Sequence, residues 1–120
     1  MTEVVATDEF VAWFEELGEP TKEAVERMVK LLEMAGVSLG FPHSSAIKGT
    51  DSAFRELRFK SSSHVLRIIY AFDPQRDAVL IIGGDKTGDN RFYEKILPWA
   101  ERIWMKYLAE QKAGAHDKEK

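Results

Sequence analysis

The chain contains no cysteine, which excludes disulfides, thiolate catalysis and cysteine-based zinc sites and makes the reducing cytosol its natural compartment. Long apolar runs are missing too, and none approaches the roughly 20 residues needed to cross a bilayer. At the N-terminus, Glu3, Asp8 and Glu9 stand where a signal peptide carries basic residues, so neither export nor a membrane is expected. Surplus positive charge is also lacking. A formal net charge of -3 argues against an indiscriminate nucleic-acid binder, whose affinity comes mainly from excess Lys and Arg. There is no Walker pattern, no internal repeat and no low-complexity segment. His43, His64 and His116 lack metal-ligand spacing, so no metal is expected.

What is present fits one globular domain. The 120 residues are 44% hydrophobic and 31% charged, enough apolar surface for a single core. The domain is expected over residues 1–110, with the polar stretch 111–120 as a frayed tail. Charge is unevenly spread: Met1 to Pro42 holds three basic and nine acidic residues, whereas His43 to Tyr70 holds five basic and two acidic. A basic middle therefore follows an acidic start.

Periodicity places the elements. Glu3 to Ala6 reads as a short strand, and Thr7 or Asp8 can cap a helix carrying Phe10, Val11, Phe14 and Leu17 at helical spacing. Gly18 and Pro20 break it, and a second helix runs from Pro20 or Thr21 to a stop at Gly36, completing a helical hairpin. Val37 to Asp51 is a Gly-, Ser- and Pro-containing loop. Three strand-like runs follow, Phe54 to Lys60, His64 to Phe72 and Ala78 to Ile82, with connections short enough for an antiparallel meander. From about Asn90, Phe92, Ile96, Trp99, Ile103, Trp104, Tyr107 and Leu108 mark a last helix, with Pro98 as a kink or a fresh start. Trp13, Trp99 and Trp104 fall in helical apolar patterns and read as core or partner interface. The fold class is thus α+β: an N-terminal strand and helical hairpin packed on an antiparallel meander, with a C-terminal helix.

The segments FRELRF, HVLRIIYAF and VLIIGGDKTGDNRFYEKILPWAERIWMKYL, in that order of elements, resemble the RelE/ParE toxin superfamily and within it the HigB-type, phage Gp49-like branch. The specific resemblance spans Phe54 to Leu108: an E-L-R strand, an R-x-x-Y-like strand and a GGDK turn before the last helix. It implies a RelE-like fold and the toxin of a toxin-antitoxin pair, a ribosome-dependent messenger-RNA endoribonuclease that needs no metal or cofactor. The implied partners are an antitoxin of helix-turn-helix type, the ribosome and messenger RNA, all in the cytoplasm. Two departures stand out: such toxins are usually basic, and the histidine that some relatives use near the C-terminal end has no counterpart here beyond His116 in the tail. The superfamily also includes ParE-type toxins that bind gyrase, and a phage-derived chain can survive as an inactive interaction protein, so fold alone does not fix activity.

RNA cleavage through the 2'-hydroxyl needs a base, stabilisation of charge on phosphorus and protonation of the leaving oxygen. Strand alternation puts Glu56 and Arg58 on one face, and a two-residue turn near Ser61 to Ser63 brings Arg67 opposite one of them. Two arginines then converge on a polar sheet face, either as a phosphate site or as a solvated salt bridge with Glu56. Lys86, after Gly83, Gly84 and Asp85, is a candidate base or phosphate clamp, its bland alternative being a turn lysine paired with Asp85 or Asp89. Tyr93 at the start of the last helix can stack on a base or orient the phosphate. Arg58, Arg67, Lys86 and Tyr93 are the candidate catalytic set, and Arg55, Lys60, His64 and Arg91 the candidate RNA contacts. As solvated charges, Arg58, Arg67 and Lys86 are expected to tolerate replacement within about 1 kcal/mol of stability.

Overall fold

A computed structural model describes the backbone of residues 1–118 and the side chains of residues 1–114. Strand β1 (Val4–Ala6) leads to Thr7, whose hydroxyl accepts from the Phe10 amide at 3.0 Å and donates to the Ile81 carbonyl at 2.7 Å. One side chain thereby starts helix α1 (Asp8–Glu15) and ties it to the sheet. Gly18 caps α2 (Glu19–Ala35), which has Pro20 in its first turn and ends at Gly36 with φ 56°. A Cβ at Gly36 would strike the Thr2 side chain, so the close return of the chain here also needs glycine.

The expected meander is present as β3 (Arg55–Ser61), β4 (His64–Phe72) and β5 (Ala78–Asp85), joined antiparallel. Ser62 adopts φ 54° in the two-residue turn that sets Ser61 opposite His64. The sheet is larger than the meander, with five strands in the order β1-β5-β4-β3-β2. Strand β1 pairs parallel to β5, so the sheet is mixed. The expected loop Val37 to Asp51 contributes an edge strand, β2 (Ser44–Ala46), antiparallel to β3. Three small or polar residues have no periodicity of their own, and pairing with the edge of β3 makes them a strand.

Helices cover both faces. Phe10, Val25, Met28 and Leu32 of the hairpin pack on Leu57, Ile68, Tyr70 and Leu80. On the other face Phe92, Ile96, Ala100, Ile103 and Trp104 of α3 (Phe92–Lys118) cover Phe54, Ile69, Ala71 and Ile82. A bulge opposite Ile69 and Tyr70 lets Ile81 and Ile82 both join this second core. Helix α3 continues through Pro98 and on to Lys118, across eight of the ten residues where a frayed tail is expected. Gln111 lies in that stretch and donates to Asp73 at 2.8 Å. His116 lies beyond the described side chains, as do residues 119 and 120 entirely.

Candidate active site

Register decides which side chains meet. Arg58 stands opposite Arg67, which stands opposite Gly84, and the Lys86 amide bonds to the Val65 carbonyl one step further along. Alternation then puts Glu56, Arg58, Lys60, Arg67 and Lys86 on the face that α3 covers. That face is not the solvated surface the sequence suggests. Its far part is the apolar core under α3, and Glu56 and Arg67 keep only 5% and 8% of their surface.

Glu56 is the hub. Its Oε1 accepts from the Tyr93 hydroxyl at 2.6 Å and lies 3.3 Å from Arg67 Nε; its Oε2 accepts from Ser45 Oγ at 3.1 Å and lies 3.5 Å from Arg58 NH1. Arg67 also donates to the Leu66 carbonyl at 3.0 Å, but its Nε makes no hydrogen bond in line. Burial raises the Tyr93 phenol above its ordinary pKa, and acceptance by the Glu56 carboxylate raises it further, with Arg67 opposing. Tyr93 is therefore protonated at neutral pH, a donor and not a phenolate base.

Two glycines set the remaining geometry, though not as a ligand-cradling turn. Gly83 and Gly84 lie within β5. A Cβ on Gly83 would collide with the Trp13 ring on the hairpin face, and one on Gly84 would sit 2.8 Å from Phe92 Cε1 on the α3 face. Their lack of side chains lets α1 and the start of α3 press against the strand. Phe92 seats on Gly84, and Tyr93 beside it is thereby aimed at Glu56. Lys86 follows at the strand end with its ammonium 5.9 Å from the Tyr93 ring centroid. The carboxylates expected to neutralise Lys86 have other partners: Asp85 holds His64 at 2.6 Å and Asp89 holds Lys95 at 2.8 Å.

Three of the four candidate catalytic residues, Arg58, Arg67 and Tyr93, thus gather around one carboxylate with Lys86 beside the Tyr93 ring, whereas the four candidate RNA contacts do not gather as a set. Arg55 points to the opposite face, donating to Ser44 Oγ at 3.2 Å, Tyr70 Oη at 3.3 Å and the Leu39 carbonyl at 3.3 Å. Its role in the structure is to fasten the segment before β2, a consequence of its odd place in the strand alternation. His64 is exposed and occupied by Asp85, whose carboxyl is raised by partial burial but held below its ordinary pKa overall by Thr87 and His64. Lys60 is exposed near the end of β3 on the face of Glu56 and Arg58, and Arg91 is exposed just before α3. Sequence reasoning treats Glu56 only as a salt-bridge partner and passes over Ser45 and Phe41. Phe41 lies under the Arg58 guanidinium, 5.6 Å from carbon to ring centroid. Glu56 had a signal, an acid sharing its strand face with Arg58, with Arg67 facing them across the turn; Ser45 and Phe41 sit in an aperiodic loop and had none.

Residues 12–105 match the family model described as phage derived protein Gp49-like. HigB3 of Mycobacterium tuberculosis, named as a toxin, is 33% identical over 113 residues, covering 92% of this chain and 97% of its own length. HigB2 of the same organism, also named as a toxin, is 31% identical over 102 residues, 82% of this chain but 51% of that longer protein. Among solved structures, a mutant of E. coli toxin RelE in the free state superposes with a TM-score of 0.55 at 11% identity, over 81% of this chain and 96% of that one. RelBE, the E. coli toxin-antitoxin complex, matches with a TM-score of 0.51 at 15% identity, over 70% of this chain and 95% of that one. At such identities the solved structures establish a shared RelE-like fold.

Proposed function

The chain belongs to the phage-derived Gp49-like, HigB-type family of the RelE superfamily, and on that premise we propose that it is the toxin of a toxin-antitoxin pair, acting as a ribosome-dependent messenger-RNA endoribonuclease. The observation that carries the reading is the gathering of Arg58, Arg67 and Tyr93 on Glu56 with Lys86 alongside. Arginine pairs that serve folding alone do not need, at their open edge, a protonated phenol and a lysine with no ion pair among the described residues.

In this reading the ribose 2'-hydroxyl oxygen bonds to phosphorus while the bond to the next nucleotide's 5'-oxygen breaks, leaving a cyclic phosphate and a free 5'-hydroxyl. Charge builds on the phosphoryl oxygens, and Arg58 and Arg67 supply fixed positive charge there. Arg58, half-buried with its ion pair at 3.5 Å, can exchange part of that pairing for a phosphate. Glu56 is the positioning residue that holds both guanidinium groups and the phenol at one spot. Tyr93 and Lys86 offer the O–H and N–H donors for the departing oxygen and for the phosphate, and the proton of the attacking 2'-hydroxyl passes to water. Residues 1–110 form the toxin domain in this scheme. Its partners are an antitoxin, the ribosome and its message, which places it in the cytoplasm.

Induced expression of the chain alone should arrest growth and shorten translated messages. In cleavage assays on programmed ribosomes, Arg58→Ala and Lys86→Ala should each lower the rate by roughly a hundred- to a thousandfold, the usual loss for one oriented charge donor. Lys112→Ala, on the exposed end of α3, should cut normally. Growth arrest with intact messages and falling gyrase activity would replace the nuclease reading with a ParE-like one.

A further inference from the structure

Phe41 is 79% exposed, and its ring lies against the same guanidinium that the nuclease reading assigns to phosphate. A large aromatic left in water contributes little to folding, so packing does not explain its presence there. Nor is it a loose loop tip. His43 and Ser44 amides bond back to the Gly40 carbonyl at 3.1 and 3.0 Å, the Arg58 amide bonds to the His43 carbonyl at 2.9 Å, and Arg55 grips the Leu39 carbonyl at 3.3 Å. The ring is thus presented by a segment fastened on both sides, at the sheet edge beside the cationic cluster. Arg58 has the Glu56 carboxylate within 3.5 Å and the Phe41 ring within 5.6 Å, so a phosphate at this guanidinium lies next to an open aromatic face.

We propose that Phe41 is a stacking platform for a nucleobase flanking the phosphate held by Arg58, which makes the preferred substrate an unstacked single strand. The proposal deepens the nuclease reading and rests on it. Bases in single-stranded RNA are free to leave their neighbours and lie on aromatic rings, whereas bases in a duplex are not. Stacking tolerates any base, because every base offers a π face. The ring therefore adds affinity and registers the strand, while the chemistry stays with Arg58, Arg67, Lys86 and Tyr93.

The test uses programmed ribosomes carrying a defined message in which the nucleotide on each side of the cleaved phosphate is replaced, in turn, by an abasic residue. Phe41→Ala should raise the half-saturating concentration about five- to a hundredfold and leave the saturated rate nearly unchanged, with unaltered thermal stability, and Phe41→Trp should restore wild-type behaviour. One abasic message should cost the wild-type chain as much as Phe41→Ala does, and should cost the Phe41→Ala variant nothing more. Equal cleavage of every message by wild type and Phe41→Ala would overturn the stacking role and leave the nuclease reading standing. Normal cleavage combined with lost antitoxin binding would overturn it too and assign the ring to a protein interface. An intact message with the wild-type chain would remove the nuclease reading and the stacking role together.

Discussion

Glu56 carries four partners on two oxygens while almost wholly buried. A charge in that position is tolerated because its neighbours are opposite charges and donors, and deleting it leaves Arg67 buried without compensation. Glu56→Ala should therefore destabilise the fold by about 3–5 kcal/mol, the usual outcome of breaking a buried ion pair, readable as a fall in the urea midpoint. The same logic makes Arg67 a poor choice for a clean activity test. Its burial contradicts the expectation that all three cations tolerate replacement, an expectation that suits the more exposed Arg58 and Lys86 better. Glu56→Gln keeps an oxygen for Tyr93 but removes the charge. Alkaline ultraviolet titration should then find the Tyr93 phenol lower than in the wild type, with the part of its elevation that comes from burial retained. An unmoved phenol would mean that the hydrogen bond to Glu56 does not govern it.

Helix α3 joins core to site, and each end depends on one contact set. At its start, Phe92 occupies the space over Gly84 that a methyl group would need. Gly84→Ala should push Phe92 and Tyr93 away from β5, destabilising the fold by roughly 1–3 kcal/mol as overpacking does and lowering cleavage beyond what the remaining folded fraction explains. Toward its other end, Tyr107 and Gln111 donate to the buried Asp73, which also accepts from the Gln75 and Asp77 amides in the turn between β4 and β5. Burial, reinforced by the Asp73 carboxylate, pushes the Tyr107 phenol from 10.0 up to about 12. Above pH 10 the unfolded chain releases a proton that the folded one retains. The stabilisation is accordingly complete below pH 10 and is lost as pH rises toward 12. Denaturant midpoints measured across that window should fall with pH in the wild type, and less steeply in Tyr107→Phe.

Across the whole molecule, charge is unevenly spread, with nine acidic and three basic residues in Met1 to Pro42. The acidic residues of the hairpin segment lie on the elements that cover one side of the sheet, and the cationic cluster opens at the end of the other. Binding to RNA should therefore be local and not driven by net charge. With Arg58, Arg67 and Lys86 gathered on one phosphate, log affinity for a single-stranded RNA analogue should fall with log salt at a slope of about -0.7, the value for one neutralised phosphate. A slope several-fold steeper would point to a distributed basic surface and away from one compact site.

The sequence by itself determined the elements whose signals are local. A cap at Thr7 or Asp8, Gly18 and Gly36 as boundaries, the alternation that puts Glu56 and Arg58 on one strand face, and the helical spacing from Phe92 to Leu108 all act within a few residues of chain. The quoted strand motifs carried the family for the same reason. Only the tertiary structure decided what long-range pairing controls. Strand β1 became a parallel edge through β5, Ser44–Ala46 became a strand through β3, and Arg55 turned away from the site to hold the segment before β2. The site's surroundings were decided the same way: α3 closed over the face of Glu56 and Arg67, turning an expected polar, solvated sheet face into a buried hub. Burial depends on which helix lands on which face, and that is set by packing between elements far apart in the chain.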